Sequence, residues 1–143
     1  MGTFSVNISV GDPQGQQYTT VAALVDTGSS YTALPASFLQ RLGVSPRERR
    51  LFELADGRMV EHDVGQTWVQ IDGRTATVPV VFADEGTEAL LGAVTLEIFG
   101  LGVDPVRRRL VPVPGLLMAY LPIDPAWLNG KKQRRWGGET WLV

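Results

Sequence analysis

The sequence predicts a mainly β domain with one or two short helices, on three observations. Glycine (16 residues) and proline (9 residues) punctuate the chain at short intervals. Between them lie brief runs rich in Val, Ile, Thr and aromatic residues, several alternating apolar with polar. Asp56-Gly57 and Asp72-Gly73 sit between such runs, where they read as hairpin turns.

Taken in order, Phe4 to Val10 alternates as a half-buried strand does, GDPQGQQ is turn chemistry, and Tyr18 to Val25 reads as the returning strand. Pro35 to Gly43 carries proline at its entry and glycine at its end, the signature of a short helix. Leu51 to Ala55 and Arg58 to Val64 flank the Asp56-Gly57 turn. Thr67 to Ile71 and Thr75 to Phe82 flank Asp72-Gly73, and Pro79 puts part of the latter strand at an edge or a bulge. Ala89 to Gly92 is a brief buried strand, followed by one or two helical turns from Ala93 to Phe99 that Gly100 closes. RRRLVPVPGLLMAYLP then reads as one or two extended pieces. From Asp124 the chain turns Trp-rich and basic with little periodicity. The expected division is a folded domain over residues 1–122 and a C-terminal extension over 123–143.

A length of 143 residues suits one domain with a core and is too short for two substantial lobes. The hydrophobic share of 44% and the charged share of 20% are those of a globular chain. A net charge of −2 gives no reason to expect nucleic acid as the main partner. With no cysteine, disulfides, thiol catalysis and thiolate metal sites are excluded, and the single His62 builds neither a histidine-rich metal site nor a Ser-His-Asp triad. No secretion signal is read at MGTFSVNISV, and the apolar runs fall short of a membrane span. A soluble cytoplasmic protein with no cofactor, no metal and no membrane partner is the expectation.

The residue that asks for an explanation is Asp26, in LVDTGSS at the end of an apolar run. Asp-Thr-Gly after a strand is often only a turn, the carboxylate accepting from nearby backbone amides. Here the run Ala22 to Val25 is apolar on both alternating faces, so the strand is expected to be buried. A carboxylate at such a place is costly unless it is paired or works as an acid. Gly28 lets a backbone approach closely, and Thr27 offers a hydroxyl to fix the loop. Acid–base chemistry on water needs two carboxyl groups sharing a proton, because like charges in contact cannot both ionise. The chain holds no second Asp-Thr-Gly or Asp-Ser-Gly, so the second carboxylate would come from a two-fold homodimer.

Three blocks in this order, LVDTGSSYTALP, ALLGAVTLE and GLGVDPVRRRL, resemble the retropepsin-like aspartic proteases, single-domain and homodimeric. The resemblance covers about the first four-fifths of the chain. It implies a closed acid-protease-type β-barrel with one lobe per chain, hydrolysing peptide bonds through a dyad of Asp26 residues. By the same resemblance Thr27 and Gly28 support the catalytic loop, Thr27 by a hydrogen bond across the dimer axis. Substrate contact falls to Gly28 and Ser29, to Ala55, Asp56 and Gly57 at the tip of a flap, and to Leu91 and Gly92 beneath the loop, with Leu90 in the core. The chain departs from retroviral members at Ala93, where they place a bracing arginine, and at Ser30, where they carry an acid. Its flap also lacks their glycine-rich tip.

Two other functions stay open: a dimeric binding module on the same fold that does not cut its peptide or protein partner, and a small β domain in which Asp26 only shapes a turn. His62 in VEHDV shares a strand with Glu61 and Asp63, whose side chains point to the opposite face, so an exposed hairpin histidine is expected rather than a metal site. Arg107 to Arg109 read as a charged strand end. KKQRR before Trp136 has the composition of a nucleic-acid or anionic-surface contact, but within a mildly acidic chain a solvated tail is the plainer reading. LLMAYL (116–121) would be an intersubunit strand by the resemblance and a core strand otherwise, and is expected to be buried in either case.

Overall fold

The computed structural model describes residues 3–117, 135–136 and 139–140. Nine strands and two short helices occupy the first of these segments: β1 Ser5–Gly11, β2 Tyr18–Val25, β3 Thr32–Pro35, α1 Ala36–Arg41, β4 Glu48–Glu53, β5 Met59–Ile71, β6 Arg74–Ala83, β7 Leu90–Leu91, α2 Ala93–Ile98, β8 Leu101–Asp104 and β9 Arg109–Pro112. Beyond them Arg135–Trp136 (β10) pairs antiparallel with Glu139–Thr140 (β11). No described helix is long and apolar enough to cross a membrane.

Seven strands form one sheet in the order β1-β2-β7-β3-β6-β5-β4, and β5 also pairs with β1 through Ser9–Gln70 and Val10–Val69. The sheet therefore closes into a ring, leaving β4 attached to the outside of β5 and β8–β9 as a separate hairpin. Ring closure follows from the pattern of the strands. Ile8, Val10, Val69, Val78, Val80 and Leu34 all point inward with at most 1% exposure, and apolar surface on one face of a curved sheet is removed from water when that face encloses itself. Leu39 of α1 and Leu96 of α2 join the same core.

The strand starts and stops are set locally. The Asp12 carboxylate accepts from the Gln16 amide at 2.8 Å, closing the β1–β2 turn. Asp72 and Gly73 both take positive φ, at 50° and 77°, which the two-residue β5–β6 hairpin requires. Pro79 pairs with Gln66 in register, on the part of β6 that β3 does not yet reach, since the β3 pairing begins at Val80. It is an edge position, not a bulge.

Three expectations are corrected. The stretches Arg58 to Val64 and Thr67 to Ile71 are one strand of 13 residues, because Gly65 and Gln66 stay in the ladder opposite Val80 and Pro79. Gly65 is there for closeness: a Cβ would lie 2.8 Å from the Ser45 carbonyl oxygen. Second, β4 starts at Glu48 and ends at Glu53, upstream of Leu51 to Ala55. Its charged first half pairs with β5, Arg49 reaching Glu61 at 3.1 Å and Asp63 at 3.2 Å. Third, Leu116 and Leu117 are 71% and 78% exposed in the single chain, which corrects the core-strand reading of LLMAYL for these two residues and leaves the intersubunit reading as an expectation. The Val113 amide donates to the Gly100 carbonyl at 2.8 Å, and Pro114, which follows, has no amide to extend the pairing. The rest of LLMAYL, the boundary at residue 122 and most of KKQRR lie outside the described residues.

Candidate active site

The topology makes the Asp26 corner. Strands β2 and β7 run parallel, pairing Leu24 with Leu90 and Val25 with Leu91, while β3 pairs antiparallel with β7. Because β7 lies between β2 and β3, the connection from residue 26 to residue 31 must cross the end of β7. That crossing leaves no room below it: a Cβ on Gly92 would sit 2.5 Å from the Tyr31 carbonyl carbon and oxygen. A glycine follows Leu91 for that steric reason.

Hydrogen bonds then fix the loop from both sides. The Asp26 amide donates to the Leu91 carbonyl at 3.0 Å, one step after Leu24 donates to Ala89 at 2.8 Å. One carboxylate oxygen of Asp26 accepts from the Gly28 amide at 3.0 Å, and the other from the Ser29 hydroxyl at 2.9 Å. The first amides of α2 hold the loop's far side, Ala93 donating to the Ser29 carbonyl at 2.8 Å and Val94 to the Ser30 carbonyl at 2.9 Å. Beneath them the Thr32 and Thr95 hydroxyls share a buried hydrogen bond of 2.7 Å, and Thr32 also accepts from the Gly92 amide at 3.1 Å. Among the described residues, backbone amides and this threonine pair brace the loop.

The strand entering the corner is buried at Ala23 and Val25, but Ala22 is exposed, so it covers the core on one face only. Asp26 and Ser29 are half-buried, and Thr27 and Gly28 are exposed in the single chain. Leu91 is wholly buried under the loop and Gly92 is buried beside it, whereas Leu90 is half-buried and not the core residue expected.

Ala55, Asp56 and Gly57 form the exposed tip of the β4–β5 hairpin. The Leu54 amide donates to the Arg58 carbonyl at 2.8 Å, and Gly57 takes a φ of 87°. The Asp56 carboxylate accepts from the Arg58 amide at 3.0 Å and from its guanidinium at 2.7 Å. These contacts, the backbone amide foremost, hold its carboxyl below the ordinary value. No described contact joins this tip to the Asp26 loop. The strands behind it do make one. Tyr31 stands edge-on to Phe52 of β4 with ring centroids 6.1 Å apart, and its hydroxyl accepts from Arg50.

Sequence reading missed Tyr31, Thr32, Arg50, Phe52 and Thr95. A hydroxyl pair separated by 63 positions leaves no local pattern. His62 is half-buried, correcting the exposed histidine expected, with its ring 6.3 Å from Phe52. Glu61 and Asp63 face the other way, towards Arg49. Among the described residues no cluster of three or more potential metal ligands occurs.

Residues 6–95 match a family described as aspartyl protease. Among solved structures, EIAV protease complexed with an inhibitor is 18% identical, with a TM-score of 0.52 over 69% of this chain and 89% of that one. The retroviral protease-like domain of Ddi1 from Leishmania major is 19% identical, with a TM-score of 0.51 over 78% of this chain and 89% of that one. A retropepsin-like aspartic protease from Rickettsia conorii is 25% identical over 72% of this chain and 85% of that one, at a TM-score of 0.47. No curated protein matches the chain. The first two likenesses identify the fold as the acid-protease fold.

Proposed function

The chain belongs to the aspartyl protease family, and from that premise we propose that it is an endopeptidase whose catalytic pair is one Asp26 from each of two copies. A single observation carries the proposal. Asp26 is half-buried, with its carboxylate oxygens held by the Gly28 amide and the Ser29 hydroxyl, at a corner whose neighbours Thr27 and Gly28 remain open. A turn aspartate needs the Gly28 bond alone; the added hydroxyl and the bracing from α2 fix the orientation of a carboxyl group.

Two such corners related by a two-fold axis place the carboxyls together, where they hold one proton between them. The unprotonated Asp26 takes a proton from water, whose oxygen adds to the peptide carbonyl carbon, while the protonated Asp26 gives its proton to the carbonyl oxygen. Collapse of the resulting diol passes a proton to the nitrogen, breaks the C–N bond and releases an acid and an amine. Gly28 and Ser29 lie where the backbone of an extended peptide would run, and the β4–β5 hairpin serves as the flap that keeps bulk water out.

The shared pair is tested by mixing. Wild-type and Asp26→Asn chains are unfolded and refolded together in varied proportions, and peptide cleavage is measured. With one Asp26 from each copy, activity falls as the square of the wild-type fraction. A linear fall means that each chain works alone and overturns the shared pair.

A further inference from the structure

The β4–β5 hairpin is an arm. Val64 is the first β5 residue that pairs with β6, so over residues 59–63 β5 has β4 as its sole strand neighbour among the described residues. Among the described residues β4 in turn pairs with β5 alone. A two-stranded ribbon is marginal by itself in water, so its pose depends on what its faces touch. One face turns outward and satisfies itself, through Arg49 with Glu61 and Asp63.

The other face carries Arg50 and Phe52, with His62 opposite Arg50 in register. This face meets Tyr31. The Arg50 guanidinium donates to the Tyr31 hydroxyl at 2.5 Å, and its central carbon lies 5.3 Å from the centre of the Tyr31 ring. Phe52 closes on the same ring edge-on, at an interplanar angle of 76°. Arg50 is also 3.9 Å from Glu48, which leaves the guanidinium beside the tyrosine. The backbone of Tyr31 is held locally, since its carbonyl lies close over Gly92 and the next residue, Thr32, is hydrogen-bonded to Thr95. Tyr31 is the last residue of the loop that begins at Asp26.

We propose that Tyr31 and Arg50 form a clasp that fixes the arm over the Asp26 loop, so that both are positioning residues for peptide binding. The contact joins the part of the molecule that must move to admit a substrate to the part that must not. It rests on the proteolytic reading for its effect on cleavage, but not for the clasp itself.

Arg50→Met keeps the aliphatic stem and removes the charge; Tyr31→Phe keeps the ring and removes the hydroxyl; Arg50→Lys restores a cation. Amide hydrogen exchange is followed over residues 48–63, with β1 and β2 as the internal control for folding, alongside kcat and KM for a cleaved peptide. The expected result is exchange faster by about fivefold to tenfold in the arm for Arg50→Met, the loss of one exposed charge-assisted hydrogen bond. Tyr31→Phe gives a smaller increase, β1 and β2 stay unchanged, KM rises by a similar factor with kcat held within about twofold, and Arg50→Lys recovers part of both. Arm exchange equal to wild type in Arg50→Met and Tyr31→Phe overturns the clasp. Faster arm exchange with unchanged KM overturns the positioning role. A wild-type protein that cleaves no peptide counts against the proteolytic reading, and the exchange data still decide the clasp.

Discussion

Asp26 differs from an ordinary turn aspartate by one hydroxyl. The Gly28 amide on one carboxylate oxygen is what any Asx turn supplies, whereas the Ser29 hydroxyl on the other is an added constraint on where that oxygen points. Ser29→Ala removes it without disturbing the backbone bonds that Ala93 donates to Ser29 and Asp26 donates to Leu91. The expected outcome is a fall in kcat/KM of about tenfold, the effect of one hydrogen bond to a charged group, with Tm changed little. Loss of the folded state in that variant would make Ser29 a structural residue first. At this scale the sequence was most legible where chemistry is contiguous. Asp26, Thr27, Gly28 and Ser29 stand in one run, and all four lie in the loop that the structure braces. Thr32 with Thr95 and Tyr31 with Arg50 were illegible, because each pair meets only when strands far apart in sequence are laid side by side.

In the proposed mechanism the β4–β5 hairpin governs substrate access, and its tip carries a pH-sensitive contact. The Asp56 carboxyl is held below its ordinary value of 3.8, first by the Arg58 backbone amide and then by the Arg58 side chain. A carboxyl depressed in the folded state stabilises the turn above the ordinary value, and that contribution is lost as pH falls through the depressed one. The Asp56–Arg58 contact is therefore expected to persist at neutral and mildly acidic pH and to weaken as pH falls below 3.8. The Arg58 amide shift, followed by NMR from neutral pH down, checks this, and Asp56→Asn should flatten the acid transition because it has no proton to gain. A transition of equal size in Asp56→Asn would assign it to another group. The turn itself was readable from Asp56-Gly57, but the strand bounds were not. ERR at the start of β4 looks like loop, since its partners Glu61 and Asp63 lie across the hairpin. Gly65 looks like a break, since the backbone it accommodates belongs to Ser45.

At the scale of the whole fold, seven strands of the described residues form a ring of sheet, with Thr27 and Gly28 of the Asp26 corner exposed. The mainly β class and the order of most elements could be read from turn dipeptides and alternation, because those signals act within a few residues. The parallel β2–β7 and β3–β6 pairings that close the ring could not, because parallel neighbours depend on long-range connections that no local pattern records. The β2–β7 pairing brings Gly92 beneath the Asp26 loop. The chain carries a single Asp-Thr-Gly loop, so in the proposed mechanism the catalytic pair comes from two copies. The most direct measurement is mass spectrometry of a diverse peptide mixture incubated from acidic to neutral pH with wild type and Asp26→Asn in parallel, with sedimentation of both proteins. Cuts made by the wild type alone and equal dimers in the two samples are expected, since the amide keeps the size of the carboxyl but loses the shared proton. Identical cuts from both proteins, or none from the wild type at any pH, would contradict the proposed mechanism.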